Sequence, residues 1–170
     1  MRPLEGDEIL PASGASGVDK LARKAQAQQA RRGAIFGWQD DLAFAALQRA
    51  YWDSGGIAPG DPLGRLLADH GPGGFISLAS LLADEEIFGF AHREMVWVPM
   101  FQFDLGDCSL KPAPRRVRAE LGEEFDGWTI AAWFVEPNQW LGEQRPVDLL
   151  ESKLAAVLQA ARADRFVAAG

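Results

Sequence analysis

Two histidines, one cysteine and a surplus of carboxylates are the residues of this chain whose chemistry could be catalytic or metal-binding. His70, His92 and Cys108 lie far apart, and no two of them fall at a metal-ligand spacing. A zinc site would need more soft ligands than the sequence places together. Cys108 and His92 would form a nucleophile and base only by a coincidence of folding, and no acyl-transfer motif surrounds either. His70 stands at an expected helix end, where a cation is mildly favoured. The runs Asp84-Glu85-Glu86 and Glu123-Glu124 read as solvated faces. Gly55-Gly56 and Gly71-Pro72-Gly73-Gly74 lack the preceding strand, following helix and lysine of a phosphate loop, so they read as turns. The sequence therefore predicts no catalytic residue, no metal and no cofactor, and places an enzyme of unspecified type last among the readings.

Charge narrows the partners. The net charge is −7. Residues 1–37 carry six Lys/Arg against four Asp/Glu, giving +2, and the remainder carries eleven against twenty, giving −9. An acidic body repels phosphate backbones, so nucleic-acid binding would need a local basic patch. Two exist: Lys20, Arg23, Lys24, Arg31 and Arg32 in the leading segment, and Lys111, Arg115, Arg116 and Arg118 further on. The first is the candidate DNA-binding set, expected to act weakly through phosphates. The single cysteine excludes an intrachain disulfide, and neither a signal peptide nor an apolar run of about 18 residues is visible. A cytoplasmic protein without membrane association is the expectation.

The elements that must position these residues follow from periodicity and punctuation. Six tryptophans and ten phenylalanines supply a core, each large aromatic burying roughly 150–250 Å². Residues 1–35 read as a tail and basic arm. Asp40 or Asp41 is expected to cap a helix to about Asp53, with Phe44, Leu47 and Tyr51 on one side, closed by Gly55-Gly56. Asp61-Pro62 reads as N-cap and first-turn proline of a second helix, and Ser77 as the cap of a third carrying Leu78, Leu81 and Leu82. Ile87–Phe90 and Met95–Val98, separated by Ala91–Glu94, read as a hairpin that Pro99 confines to an edge. Helices are expected from Pro114, with Val117, Leu121 and Phe125 recurring every four residues, and from Asp126 to the break before Pro137. A turn at Arg145-Pro146 and a last helix capped by Ser152, with Leu154, Val157, Leu158 and Ala161 inward, complete the chain. The fold class is mainly α: a compact multi-helix protein of six or seven helices with a small β-hairpin near the middle. Residues 36–104 read as a helical region with the hairpin and 105–170 as a helical C-terminal domain.

Four segments form an ordered series: Phe101-Gln102-Phe103-Asp104, Trp133-Phe134-Val135-Glu136-Pro137-Asn138, Trp140-Leu141-Gly142, and Arg145-Pro146-Val147-Asp148-Leu149-Leu150. Across residues 99–167 this series resembles the toxin-binding domain of the Xre/MbcA/ParS antitoxin family. There a tryptophan-bearing helix, a Pro-Asn turn, an aliphatic-Gly pair and a Pro-x-Asp-Leu-Leu segment precede a final helix. The resemblance implies a protein partner, namely a RES-type toxin that degrades NAD or a related toxin, together with self-association as a homo-oligomer. It also implies a preceding helix-turn-helix that represses the antitoxin's own promoter. Here that region keeps the leading leucines of Ser77–Leu82 and a wing-like Met95–Val98, but Asp84-Glu85-Glu86 stand where a basic recognition helix would be. A DNA-binding regulator using this degenerate winged region and the basic arm is the alternative reading. Since the family's last helix lies near the toxin, Trp140, Leu141, Arg162, Arg165 and Phe166 are the candidate partner-binding residues. An exposed aromatic beside arginines is also the mix enriched at binding hot spots.

Overall fold

The computed structural model describes residues 37–70 and 77–170. Lys20, Arg23, Lys24, Arg31 and Arg32 lie outside them, as do Gly71-Pro72-Gly73-Gly74. The described residues form seven α-helices and a three-stranded antiparallel sheet, so the protein is mainly α with a small hairpin near the middle. No helix among them is long and apolar enough to cross a membrane.

Helix α1 spans Gly37–Ala50, starting three or four residues before the expected caps, so Asp40 falls inside its first turn. Acidic residues are stabilising both as caps and within the first turn, and sequence alone does not separate the two positions. The helix ends in a 3₁₀ turn, Trp52–Ser54, and Gly55 then takes a left-handed φ of 96°. Strand β1, Ile57–Pro59, follows. Helix α2 spans Gly60–His70, with Asp61 in its first turn instead of at its cap. Helix α3, Leu78–Ala83, begins as expected: Ser77 accepts a hydrogen bond from the Ser80 amide.

Strands β2, Phe90–His92, and β3, Met95–Pro99, form the hairpin around Arg93 and Glu94. Both turn residues are left-handed, with φ 47° and 62°, the geometry that two-residue hairpin loops need. The strand order is β1-β3-β2. Pro99 therefore does not confine β3 to an edge: β3 is the central strand, and Pro99 is its last residue, facing Ile57. The ladder continues past the proline because the Met100 amide donates to the Gly56 carbonyl at 2.9 Å. Strand β1 escaped the sequence reading because three residues ending in proline show no alternation.

Alternation along these strands feeds two cores. Ile57, Phe90 and Trp97 pack with Leu47, Tyr51, Phe101, Phe134 and Val157 in the larger one. Ala58, Val96 and Val98 pack with Leu63, Leu67, Leu81, Ile87 and Phe103 in the smaller. Successive side chains of a strand point to opposite faces, so the sheet is a partition between them. Ile87 and Phe88, expected in the hairpin, lie before the strand. The buried Gln102 amide replaces a strand partner there: its Oε1 accepts from the Phe88 amide at 2.9 Å, while Nε2 donates to the carbonyls of Phe88 and Pro99 at 2.9 and 3.0 Å.

Helix α4 spans Pro112–Leu121, beginning two residues before Pro114, and stops at Gly122 with φ 75°. Phe125, expected on its face, lies beyond that stop and packs against the core from a loop. Helix α5, Gly127–Val135, is capped by Asp126, whose Oδ1 accepts from the Thr129 amide at 2.7 Å. Its first residue must be glycine, since a Cβ there would lie 2.0 Å from the Gly89 carbonyl oxygen. Helix α6 is the single turn Pro146–Leu149. Helix α7, Leu154–Ala169, has Lys153 as its N-cap with no side-chain bond, so the Ser152 cap is not formed. Val157, Leu158 and Ala161 are buried as expected, and α7 lies along α4.

Candidate interaction surface around the C-terminal helix

The best-defined polar constellation joins α5, the turn after it and α7. Pro137 ends α5, and Asn138 organises the turn. Its Oδ1 accepts from the Trp140 amide at 2.9 Å, capping a 3₁₀ segment over Gln139–Leu141. The Asn138 amide donates to the Gln144 carbonyl at 3.1 Å, and the Glu143 amide to the Asn138 carbonyl at 3.0 Å. Gly142 and Glu143, with φ 64° and 63°, close the loop.

Three donors from this frame converge on one carboxylate, Asp164 of α7. Trp133 Nε1 and Asn138 Nδ2 each donate to Oδ2 at 2.7 Å, and Trp140 Nε1 donates to Oδ1 at 2.8 Å. All three donors are neutral, so they satisfy the carboxylate without cancelling its charge. Beside it lies a cleft of about 300 Å³ walled by Trp133, Pro137, Asn138 and Gln139, with Glu136, Glu143 and Asp164 as its charged residues.

The structure divides the expected partner-binding residues. Trp140 is 53% exposed and fixed by Asp164. Leu141, expected at the surface, is only 8% exposed and belongs to the larger core, because the 3₁₀ turn points it inward while Trp140 points out. Arg162 pairs with Glu120 of α4, Nε to Oε2 at 2.9 Å and Nη2 to Oε1 at 2.6 Å. That bond holds the Glu120 carboxyl below its usual range and raises the guanidinium. Arg165 is half-buried and leans over Gly122 at the end of α4. Phe166 is 81% exposed, and Val167 beside it is also exposed. Phe166 comes two residues after Asp164, about 200° around a helix, so Trp140 and Phe166 lie on different sides of α7, whereas Val167 falls near the Asp164 side. Asp164 itself was missed in the sequence. No sequence signal marked it: Glu136 and Glu143 are carboxylates closer in sequence to Trp133, Asn138 and Trp140, and only the fold selects Asp164 as the acceptor.

Among the described side chains, His92 and Cys108 do not come together. His92 is 5% exposed, stacks on Phe44 with ring centroids 4.1 Å apart, and places Nε2 3.3 Å from Asp41 Oδ1. Burial holds its pKa below the ordinary value despite the nearby Asp41 carboxylate. Cys108 sits in the 104–109 turn against the smaller core, whereas His92 packs with Phe44, a residue of the larger one. Among the described residues no three His, Cys, Asp or Glu side chains are placed to hold a metal. The acidic run is not a merely solvated face: Glu85 pairs with Arg118 and Glu86 with Arg115, the latter at 2.7 Å. Much of the second basic patch is thereby matched internally, with Lys111 also 3.5 Å from Glu151.

The chain matches no family model, no curated protein and no solved structure.

Proposed function

We propose that this chain is an antitoxin-like interaction protein whose C-terminal helical region binds a protein partner, of the toxin class that its motif series implies, or a second copy of itself. The observation that carries this reading is the Trp140 indole, more than half exposed yet fixed through Asp164 by an internal hydrogen-bond frame. A rigid, exposed aromatic loses little freedom on binding and is the residue type that most often dominates an interface. The exposed Phe166 and Val167 at the end of α7 extend the apolar surface around the helix. Pairing of Arg115 and Arg118 with Glu86 and Glu85 supports protein binding over nucleic-acid binding by this part of the chain.

The test is co-expression with the product of the adjacent gene, then affinity measurement on the purified complex and sedimentation of the chain alone. Trp140→Ala, and separately Phe166→Ala with Arg165→Ala, should each weaken the complex or the dimer by about 2 kcal/mol or more. A complex or dimer indifferent to both variants would overturn the reading. A tight, salt-dependent shift of promoter DNA by a chain beginning at residue 36 would favour the DNA-binding alternative.

A further inference from the structure

We propose that the cleft between the 136–143 turn and α7 seats an arginine or lysine side chain of the partner, beside the Trp140 indole that Asp164 holds in place. This rests on the protein-binding reading above and adds the chemistry of the partner's contact segment. Charge complementarity selects the occupant. The cleft residues include three carboxylates, Glu136, Glu143 and Asp164, and no lysine or arginine. Several acids elsewhere are matched by the chain's own cations, Asp41 by Arg93, Glu86 by Arg115, Glu120 by Arg162 and Asp148 by Arg145. The three cleft carboxylates have no such cation among the described residues. The two arginines of α7 do not serve them, since Arg162 is taken by Glu120 and Arg165 leans over Gly122. A concave site lined by one sign of charge concentrates the opposite charge.

Shape and wall chemistry narrow the cation further. A volume of about 300 Å³ is at the small end of ligand sites, room for one side chain and not for a folded element. The carboxylates do not converge closely enough to make a metal site, which leaves an organic cation bound at a distance. Trp133 walls the cleft, and the Trp140 indole is bonded to Asp164, one of the residues that line it. Indole rings attract ammonium and, more often, guanidinium groups, which also stack on them. The frame is organised before the guest arrives, since every hydrogen bond that fixes Asp164, Asn138 and Trp140 is internal.

The probe is N-acetyl-arginine amide, titrated into the full chain labelled with ¹⁵N-tryptophan while the indole N–H resonances are monitored. The Trp133 and Trp140 signals should move saturably. N-acetyl-glutamine amide, similar in size but uncharged, should leave them in place. Glu136→Gln with Glu143→Gln should weaken the arginine probe about tenfold, with the free indole signals unchanged as proof that the frame is intact. Motionless Trp133 and Trp140 signals, equal response to both amides, or undiminished binding in the double variant would each overturn the proposal. A partner complex that is sensitive to Phe166→Ala but survives alongside a failed probe would sink the cleft assignment and leave the protein-binding reading standing.

Discussion

Gln102 shows at residue scale how one side chain can stand in for a strand. Its amide satisfies the Phe88 N–H and the carbonyls of Phe88 and Pro99 in a buried site. Leaving a buried polar group unpaired costs about 1–3 kcal/mol. Gln102→Leu, which fills the space but pairs nothing, should therefore lower stability by about 3 kcal/mol or more in urea unfolding. Gln102→Glu should be no better, since it loses the donor and buries a charge. His92 makes a second prediction at this scale. Burial lowers its folded pKa below the 6.5 of a free imidazole, while the Asp41 and Asp40 charges oppose that shift and Arg93 assists it. Above pH 6.5 both folded and unfolded states are neutral at this residue. Below it the unfolded chain takes the proton first, so stability should fall as pH drops from 6.5 through the folded pKa. The carboxylates Asp41 and Glu120, whose folded pKa values are depressed, lose their contribution only at lower pH, below their ordinary 3.8 and 4.5. Thermal melts between pH 8 and 5 should show the loss, and His92→Phe should flatten the curve in that window.

Elements meet through two backbone accommodations. The hairpin turns on Arg93 and Glu94, both left-handed although neither is glycine. A non-glycine residue there costs roughly 1–2 kcal/mol. Glu94→Gly should accordingly raise the unfolding free energy by about 1 kcal/mol, with the β2–β3 register unchanged by amide exchange. The opposite holds at Gly127, where the first turn of α5 rests on the strand entry. A methyl group 2.0 Å from the Gly89 carbonyl has nowhere to go unless α5 or the sheet moves. Overpacking of this kind typically costs about 1–3 kcal/mol and more when backbone is the obstacle. Gly127→Ala should cost at least about 2 kcal/mol, and a variant as stable as the parent would mean that α5 does not sit so close.

At the scale of the whole molecule, the larger core takes residues from α1, the hairpin, α4, α5 and α7 at once. Tyr51 adds a hydrogen bond from its hydroxyl to the Ala131 carbonyl at 2.7 Å, and Arg145 donates to the Ala50 carbonyl at 3.0 Å. Elements that share one core lose it together, so far-ultraviolet circular dichroism and tryptophan fluorescence should report a single coincident transition. The exposed end of α7 stands outside that cooperation. Phe166→Ala alone, at a side chain 81% exposed, should change stability by less than about 0.5 kcal/mol, which separates its effect on binding from any effect on folding. A much lower melting temperature would place the Phe166 ring in the core.

Local features were determined by the sequence alone. Ser77 and Asp126 as caps, Gly55 as a stop and the inward face of the last helix all arise from hydrogen bonds or steric limits within a few residues. The mainly α class comes from the same short-range rules summed along the chain. Tertiary structure decided whatever depended on a partner distant in sequence. Strand β1 exists because β3 offers a free edge, and Pro99 ends a central strand because Gly56 supplies the next acceptor. Glu85 and Glu86 are pair-formers because α4 brings Arg118 and Arg115 to them. Leu141 turned from candidate contact to core, and Asp164 from an unremarked acid to the centre of the site, for one reason. Burial and hydrogen-bond partnership are properties of neighbours in space, and the donors that fix Asp164 lie 24 to 31 residues before it.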